Sequence, residues 1–171
     1  MFQEVDPLLG PEMRSTGEVL GIGKTLTEAM YKGFLGAGYK LKKSGGVFIS
    51  VKDSDKPEIS EIGRRFMDMG FEIFATDGTA EVLMENGVAA NVIKRLEGPN
   101  NAMELIEKGP LSYIISTSSK GRLPERESVK LRRHGVVAGV DCLTSLDTAN
   151  AMLRCLKERM SEETTSLVDI N

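Results

Sequence analysis

The residues best suited to chemistry in this chain are hydroxyls and cations grouped around one short stretch, Phe71–Ala80, FEIFATDGTA. It reads as a buried strand that breaks at Ala75-Thr76 into Asp77-Gly78-Thr79 and turns straight into a helix. A helix N-terminus presents free backbone N–H groups and the positive end of its dipole, and the Thr hydroxyls add donors, so this turn suits an anion. Strand–turn–helix connections with Gly and Thr also serve simply as turns and caps, and the stretch alone leaves both readings open. Ser50, Lys52 and Lys56 stand at the end of an earlier apolar run, and Lys94, Ser116, Thr117 and Ser118 at the ends of later ones. Hydroxyls and ammoniums with few carboxylates would hold a dianion, each charge-assisted bond contributing roughly 1.5–3 kcal/mol. Taken singly, each has a plainer reading: Ser50 as a strand end, Lys52 as a solvated charge, Lys56 and Lys94 as exposed lysines at a helix start and a strand end. Asp53, Asp55 and Asp77 read as caps as readily as anything else.

The elements that must position these groups alternate in type. Val47–Val51 is an apolar run of strand length, and Pro57 opens a helix, where a first-turn proline loses no hydrogen bond and Asp53, Ser54 or Asp55 can cap. Ile59, Ile62, Phe66 and Met69 follow at helical spacing, and Gly70 ends that helix. After the strand Phe71–Ala75 come a helix to Asn86-Gly87, a strand Val88–Ile93, and a short helix Asn101–Lys108. Leu111–Ile115 is a fourth strand, running into the polar loop 116–122. Arg126–Val137 is a helix, Val140–Leu143 a fifth strand and Leu146–Met160 the last helix. Repeated β–α–β units predict an α/β fold: a doubly wound, five-stranded parallel sheet with helices on both faces. Ligands of such sheets bind beyond the carboxyl ends of the strands, which is where the hydroxyls and cations fall.

Residues 1–45 differ. Pro7, Gly10 and Pro11 break regular structure, Met13–Val19 could form a strand, and Thr25–Leu35 has helical periodicity with Leu26, Ala29, Met30 and Phe34 on one face. Lys40, Lys42, Lys43 and Ser44 read as an exposed linker. This segment carries too little apolar surface to fold alone and reads as the end of a preceding domain. The expected division is 1–45, then a domain 46–160, then a polar, frayed tail 161–171.

Composition excludes several classes. With 171 residues, 40% hydrophobic and 27% charged, the chain has material for one well-filled core. A net charge of -3 argues against a nucleic-acid partner, and no apolar run reaches the length of a membrane span. Two cysteines, Cys142 and Cys155, and one histidine, His134, leave little for zinc or Ser-His-Asp chemistry. A reduced, cytoplasmic protein is the default.

The residues also carry a resemblance. Ser50-Val51-Lys52-Asp53-Ser54-Asp55-Lys56, then Gly70-Phe71, then Ala75-Thr76-Asp77-Gly78-Thr79-Ala80 resemble the methylglyoxal-synthase-like domain, a Rossmann-like fold, over residues 46 to about 155. Methylglyoxal synthase, the IMP cyclohydrolase domain and the allosteric domain of carbamoyl phosphate synthetase large chains share it. Upstream, the stretch Val5–Val19, VDPLLGPEMRSTGEV, resembles the end of the second ATP-grasp unit of the synthetase, so the chain resembles the C-terminal part of that large chain. The resemblance implies a non-catalytic domain that binds a UMP- or IMP-type effector and biases carbamoyl phosphate synthesis for the pyrimidine and arginine pathways. No cofactor is implied here, whereas the parent enzyme would use ATP with magnesium or manganese. Its partners would be the rest of the large chain and, through it, a glutaminase small subunit.

Residue by residue, the resemblance places the effector's phosphate and neighbouring groups against Ser50, Lys56, Thr76, Gly78, Thr79 and Lys94, with Ser116, Thr117 and Ser118 along the same pocket. The family often has Asn at Ser116 and Thr at Ser118, which trims two contacts and bears on UMP-versus-IMP preference. Some relatives bind ornithine at a second site; Thr144 matches one position there, and Cys142 replaces an aromatic hydroxyl. Methylglyoxal synthase chemistry would need a carboxylate base and imidazoles. This chain has Val51-Lys52-Asp53 and Gly98-Pro99-Asn100-Asn101 at those places, and an amide is no base. The long basic loop of IMP cyclohydrolase is absent as well. A third reading is an oligomerisation module, with Arg132, Arg133 and the last helix as surface, which would make the chain a homo-oligomer.

Overall fold

A computed structural model describes residues 21–118 and 122–168. The chain divides into two compact units, one ending at Tyr39 and the other beginning at Lys40.

In the first unit, helix α1 spans Leu26–Gly36. Thr25 caps it, its Oγ1 accepting a bond from Glu28 N at 3.1 Å. Phe34 and Tyr39 meet edge to face at 5.4 Å. The predicted apolar face is only partly formed: Ala29, Met30 and Phe34 are half-buried, but Leu26 is exposed. The expected strand Met13–Val19 lies outside the described residues.

The second unit is the predicted doubly wound sheet. Its elements in chain order are β1 Gly46–Ser50, α2 Lys56–Asp68, β2 Glu72–Ala75, α3 Asp77–Glu85, β3 Asn91–Val92, α4 Ala102–Lys108, β4 Leu111–Ser116, α5 Arg122–Val137, β5 Asp141–Leu143 and α6 Leu146–Val168. Five strands pair in the order β3-β2-β1-β4-β5, all parallel. The chain winds outward from β1 through β2 to β3, then crosses back to β4 and continues to β5. The order therefore reverses between β1 and β4, with Ser50 in register with Ser116 at that point.

Both central strands are buried along their whole length, as a parallel sheet covered on two faces requires. On one face Phe66 of α2, Phe71 and Tyr113 form an aromatic cluster with ring centroids 5.3–5.7 Å apart. On the other, Phe48 and Ile114 pack with Ala102 and Ile106 of α4 and Leu131 of α5. Among the described residues no helix is long and apolar enough to cross a membrane.

Four boundaries differ from expectation, each for a local reason. The strand read as Val88–Ile93 forms only over Asn91–Val92, because Gly87 at φ 79° and the bond from Val88 N to Leu83 O (2.9 Å) are spent closing α3. Helix α5 begins at Arg122, one turn before Arg126, with Pro124 tolerated in its first turn. Helix α6 does not stop at Met160 but continues to Val168, through much of the stretch read as a frayed tail. The linker lysines are exposed, yet the backbone between them is fixed to the sheet. Lys40 N and Leu41 N both donate to the Asp141 carboxylate at 2.8 Å, Tyr113 Oη donates to Lys42 O at 2.6 Å, and Ser112 Oγ to Ser44 O at 2.6 Å. That is why Lys40–Gly45 belongs with the sheet.

Candidate functional site

The carboxyl ends of β1, β2 and β4 bring their hydroxyls together. Ser50 ends β1 and is almost fully buried. Thr76, which follows β2, sets its Oγ1 at 3.3 Å from Ser50 Oγ and 3.4 Å from Thr79 Oγ1, so its single proton can serve either. Thr76 stands at the N-cap of α3 in extended conformation without capping it through its side chain, which frees the hydroxyl for these partners. Thr79 Oγ1 accepts a bond from Val51 N at 3.3 Å, and Thr117 Oγ1 one from Lys52 N at 3.0 Å. The loop after β1 is thereby tied on both sides, to α3 and to the end of β4. Ser116 lies beside Ser50 in the sheet, and its buried Oγ has no hydrogen-bond partner. Buried hydroxyls are normally satisfied, so this orphan at the strand-order reversal sets Ser116 apart from its neighbours.

Lys56, the first residue of α2, is half-buried. Its Nζ would lie 3.0 Å from a side-chain carbon at Gly78, so the absence of one lets the ammonium rest on the first turn of α3. Of the three expected caps, Asp55 takes the N-cap position of α2 without a side-chain bond, while Asp53 Oδ1 pairs with Lys56 Nζ at 2.6 Å. That bond, with the ammonium's charge, holds the exposed Asp53 carboxyl below its ordinary value. Lys52 is exposed, and Ser118 is half-buried at the end of the described part of its loop.

The predicted set is not all gathered. Lys94 stands exposed beyond β3, its backbone bridged to Asn101, and its side chain runs along Gly98 without a bond to the hydroxyls. The cation that does reach them is Arg95, which sequence reasoning passed over. Its Nε donates to Ser50 Oγ at 3.1 Å, its Nη2 donates to the same oxygen, and its Nη1 lies 3.6 Å from Glu127 Oε2 of α5. Glu127 was likewise missed, and so was Ser128 next to it, whose buried Oγ is also without a partner. The signal that could have found Arg95 is alternation, since successive side chains at a strand end point to opposite sides and only one of Lys94 and Arg95 can face the hydroxyls.

Cys142 and Thr144 lie apart from this cluster. Cys142 packs beneath α5, with its Sγ close to where a side chain on Gly135 would be and 3.7 Å from Arg132 O. Burial, then the Asp141 charge, push its thiol up to about 11. Thr144 is exposed just past β5. Asn101, in the Gly98–Asn101 turn, is a structural cap: its Oδ1 accepts from Glu104 N at 3.0 Å and its Nδ2 donates to Gly98 O at 2.6 Å. A cavity of ≈ 290 Å³ beside β3 and α4 is lined by Glu72, Asn91, Asn100, Glu104 and Lys108 among others, and by none of the strand-end hydroxyls.

Residues 58–144 match the family model described as the MGS-like domain. The matched span contains Thr76, Thr79, Arg95 and Ser116–Ser118, while Ser50 and Lys56 precede it. The chain is 47% identical over 163 residues to the carbamoyl phosphate synthase large chain of Lachnoclostridium phytofermentans, an alignment covering 95% of this chain and 15% of that relative's length. Among solved structures, methylglyoxal synthase from Elizabethkingia anophelis aligns with a TM-score of 0.48 at 15% identity, covering 67% of this chain and 79% of that one.

Proposed function

The chain belongs to the MGS-like domain family, and from that premise we propose that it is the regulatory domain of a carbamoyl phosphate synthase large chain, binding a phosphate-bearing effector of the UMP or IMP type. The observation that carries this reading is the donor-rich edge at the strand-order reversal. Thr76 Oγ1 is within hydrogen-bond reach of both Ser50 Oγ and Thr79 Oγ1, Ser116 Oγ is unspent, and Lys56 rests on the helix N-terminus at Gly78. Hydroxyls, a helix N-terminus and an ammonium together are the donor set a phosphate needs. Lys94 enters the proposal as a long exposed side chain that reaches the nucleoside part rather than the hydroxyls. Thr117 acts by fixing the loop that carries Lys52, and Ser118 lies along the pocket wall. Ornithine binding near Thr144, and contact with a glutaminase subunit, belong to the same proposal at one remove.

In the parent enzyme the chemistry would belong to ATP-grasp domains using ATP and magnesium or manganese. This domain would act by linkage. An effector that binds two arrangements of the domain with equal affinity shifts nothing, so regulation requires differential affinity, and occupancy of the neighbouring ATP site must alter effector affinity by the same factor. The capped amide of Asn101 supports a binding role over proton abstraction, because it has no basic lone pair and its polar atoms are engaged.

The test is calorimetric titration of the chain with UMP, IMP and dihydroxyacetone phosphate, alongside Lys56→Ala and Thr76→Ala. Saturable nucleotide binding, lost in both variants, is the expected result. Turnover of dihydroxyacetone phosphate, or nucleotide binding untouched in both variants, would overturn the reading.

A further inference from the structure

Around Ser50 the hydrogen-bond inventory does not balance. Arg95 sends two N–H groups and Thr76 can send its O–H to one serine oxygen, which has two lone pairs. Beside it Ser116 Oγ, and on α5 Ser128 Oγ, are buried hydroxyls with no hydrogen-bond partner. Up to three donors thus converge on Ser50 Oγ, while two buried hydroxyls, one beside it in the sheet and one on the helix that carries Glu127, keep their hydrogen-bonding capacity unspent. A guanidinium fork is shaped for two oxygens of one anion, and here it converges on a single hydroxyl oxygen. Its remaining direction is taken by Glu127, whose Oε2 lies 3.6 Å from Nη1. On the opposite side Lys56 is paired in the same manner with Asp53. Each cation of the site is thus held by a carboxylate from a different element, Asp53 from the turn before α2 and Glu127 from α5.

We propose that Arg95 is a ligand-binding residue of this site, supplying a second cation that grips a phosphate monoester dianion from the α5 side, with Glu127 as its internal competitor. The proposal rests on the reading of the strand ends as a phosphate site and adds its charge logic. Two cations, one a point charge and one a planar fork, match a doubly charged phosphate bearing three terminal oxygens. Glu127 holds the guanidinium in position but also draws part of its charge away from the ligand. Ser116, in register with Ser50, is the nearest neutral group with an unspent hydroxyl.

The full chain is titrated calorimetrically with UMP, IMP and inorganic phosphate as wild type and as Lys56→Ala, Thr76→Ala, Arg95→Ala, Arg95→Lys and Glu127→Gln. Arg95→Ala is expected to weaken nucleotide binding roughly tenfold to a hundredfold, the worth of one or two charge-assisted bonds. Arg95→Lys recovers only part of that loss, because a lysine has no fork. Glu127→Gln tightens binding severalfold by releasing the guanidinium. If Lys56→Ala and Thr76→Ala abolish binding while Arg95→Ala stays within twofold of wild type, Arg95 is not a ligand and the phosphate site stands without it. If wild type binds neither nucleotide, the phosphate reading fails and Arg95's role falls with it. Should Arg95→Ala unfold, Glu127→Gln decides alone: unchanged or weaker binding there refutes the competitor, and with it the proposed grip.

Discussion

Replacing Asp141 tests how the segment before the sheet is held. Its carboxylate accepts three hydrogen bonds from two backbone amides: Lys40 N to both oxygens at 2.8 and 3.0 Å, and Leu41 N to Oδ2 at 2.8 Å. Leu41 is buried and has a positive φ of 52°, which a leucine adopts only when its surroundings impose it. Asp141→Ala leaves a buried N–H and a partly buried one without an acceptor, at about 1–3 kcal/mol each. Relief of the carboxylate's own desolvation offsets part of this, so a net loss of about 2 kcal/mol is expected in urea unfolding, with early amide exchange at Leu41. Asn at 141 keeps one accepting oxygen and should lose about half as much.

The pH dependence of that second variant has a definite sign. Burial raises the Asp141 pKa above its ordinary value, outweighing the two amides and the charges of Lys42 and Lys40 that lower it. The folded state therefore binds the proton more tightly than the unfolded chain. The proton-linked part of Asp141's contribution is fully present below the unfolded pKa and is lost as pH rises through the folded one, while the bonds from Lys40 and Leu41 supply the remainder. Asn does not titrate, so the stability gap between wild type and Asp141→Asn should widen as the solution is taken from pH 7 towards pH 4. A gap that narrows on acidification would mean the carboxylate is stabilised in its charged form. An Asp141→Ala chain within about 0.5 kcal/mol of wild type would mean the clamp carries no structural weight.

Two further outcomes can be checked on the same protein. Gly63→Ala puts a methyl 2.7 Å from Leu83 Cδ2 and 3.4 Å from Val88 Cγ1, both in the core between α2 and α3; the overpacking cost of about 1–3 kcal/mol should exceed the helix gain of about 0.5–1, for a net loss near ~1 kcal/mol by denaturant titration. Cys142, with its thiol pushed up to about 11, and buried Cys155, with its thiol also raised, should both resist a thiol-reactive dye at pH 8 until the chain is unfolded, whereas rapid labelling of either in the native protein would contradict the packing around α5 and α6.

The sheet was legible because its signals are local. Val47–Val51 and Leu111–Ile115 are apolar runs of strand length, and Pro57, Gly70 and Gly87 punctuate the helices between them, so element types and the β–α–β order follow from neighbouring residues. The chemistry was legible as far as it is local too: Thr76, Gly78 and Thr79 share one turn, and Lys56 opens a helix. What escaped was set by pairing across the fold. Arg95 is defined by Ser50, 45 residues upstream, and the clamp at Asp141 by amides about 100 residues away. No periodicity in either stretch reports such partners. One signal was nonetheless present at each place. An aspartate opening a buried strand, as Asp141 does, cannot stay without hydrogen bonds, and that alone calls for a distant donor.

The two long-range features sit at opposite ends of the strands, and this separation bears on how the domain could regulate a neighbour. Asp141 pairs with Tyr113 near the amino ends, where the backbone of Lys40–Ser44 is fastened. Ser50 and Ser116 close β1 and β4 at the carboxyl ends. Between them run two strands that are fully buried and close-packed on both faces, which resist gradual deformation. A ligand at the hydroxyls would therefore pass little of its binding energy through the sheet to the Lys40–Ser44 tether. The loop after β1 and helix α5 are more direct carriers, since Thr79 and Thr117 hold the first and Glu127 ties the second to Arg95. Effector binding should then change amide exchange in residues 51–55 and 122–130 while leaving Leu41 as protected as before. Altered protection at Leu41 would place the coupling along the strands instead.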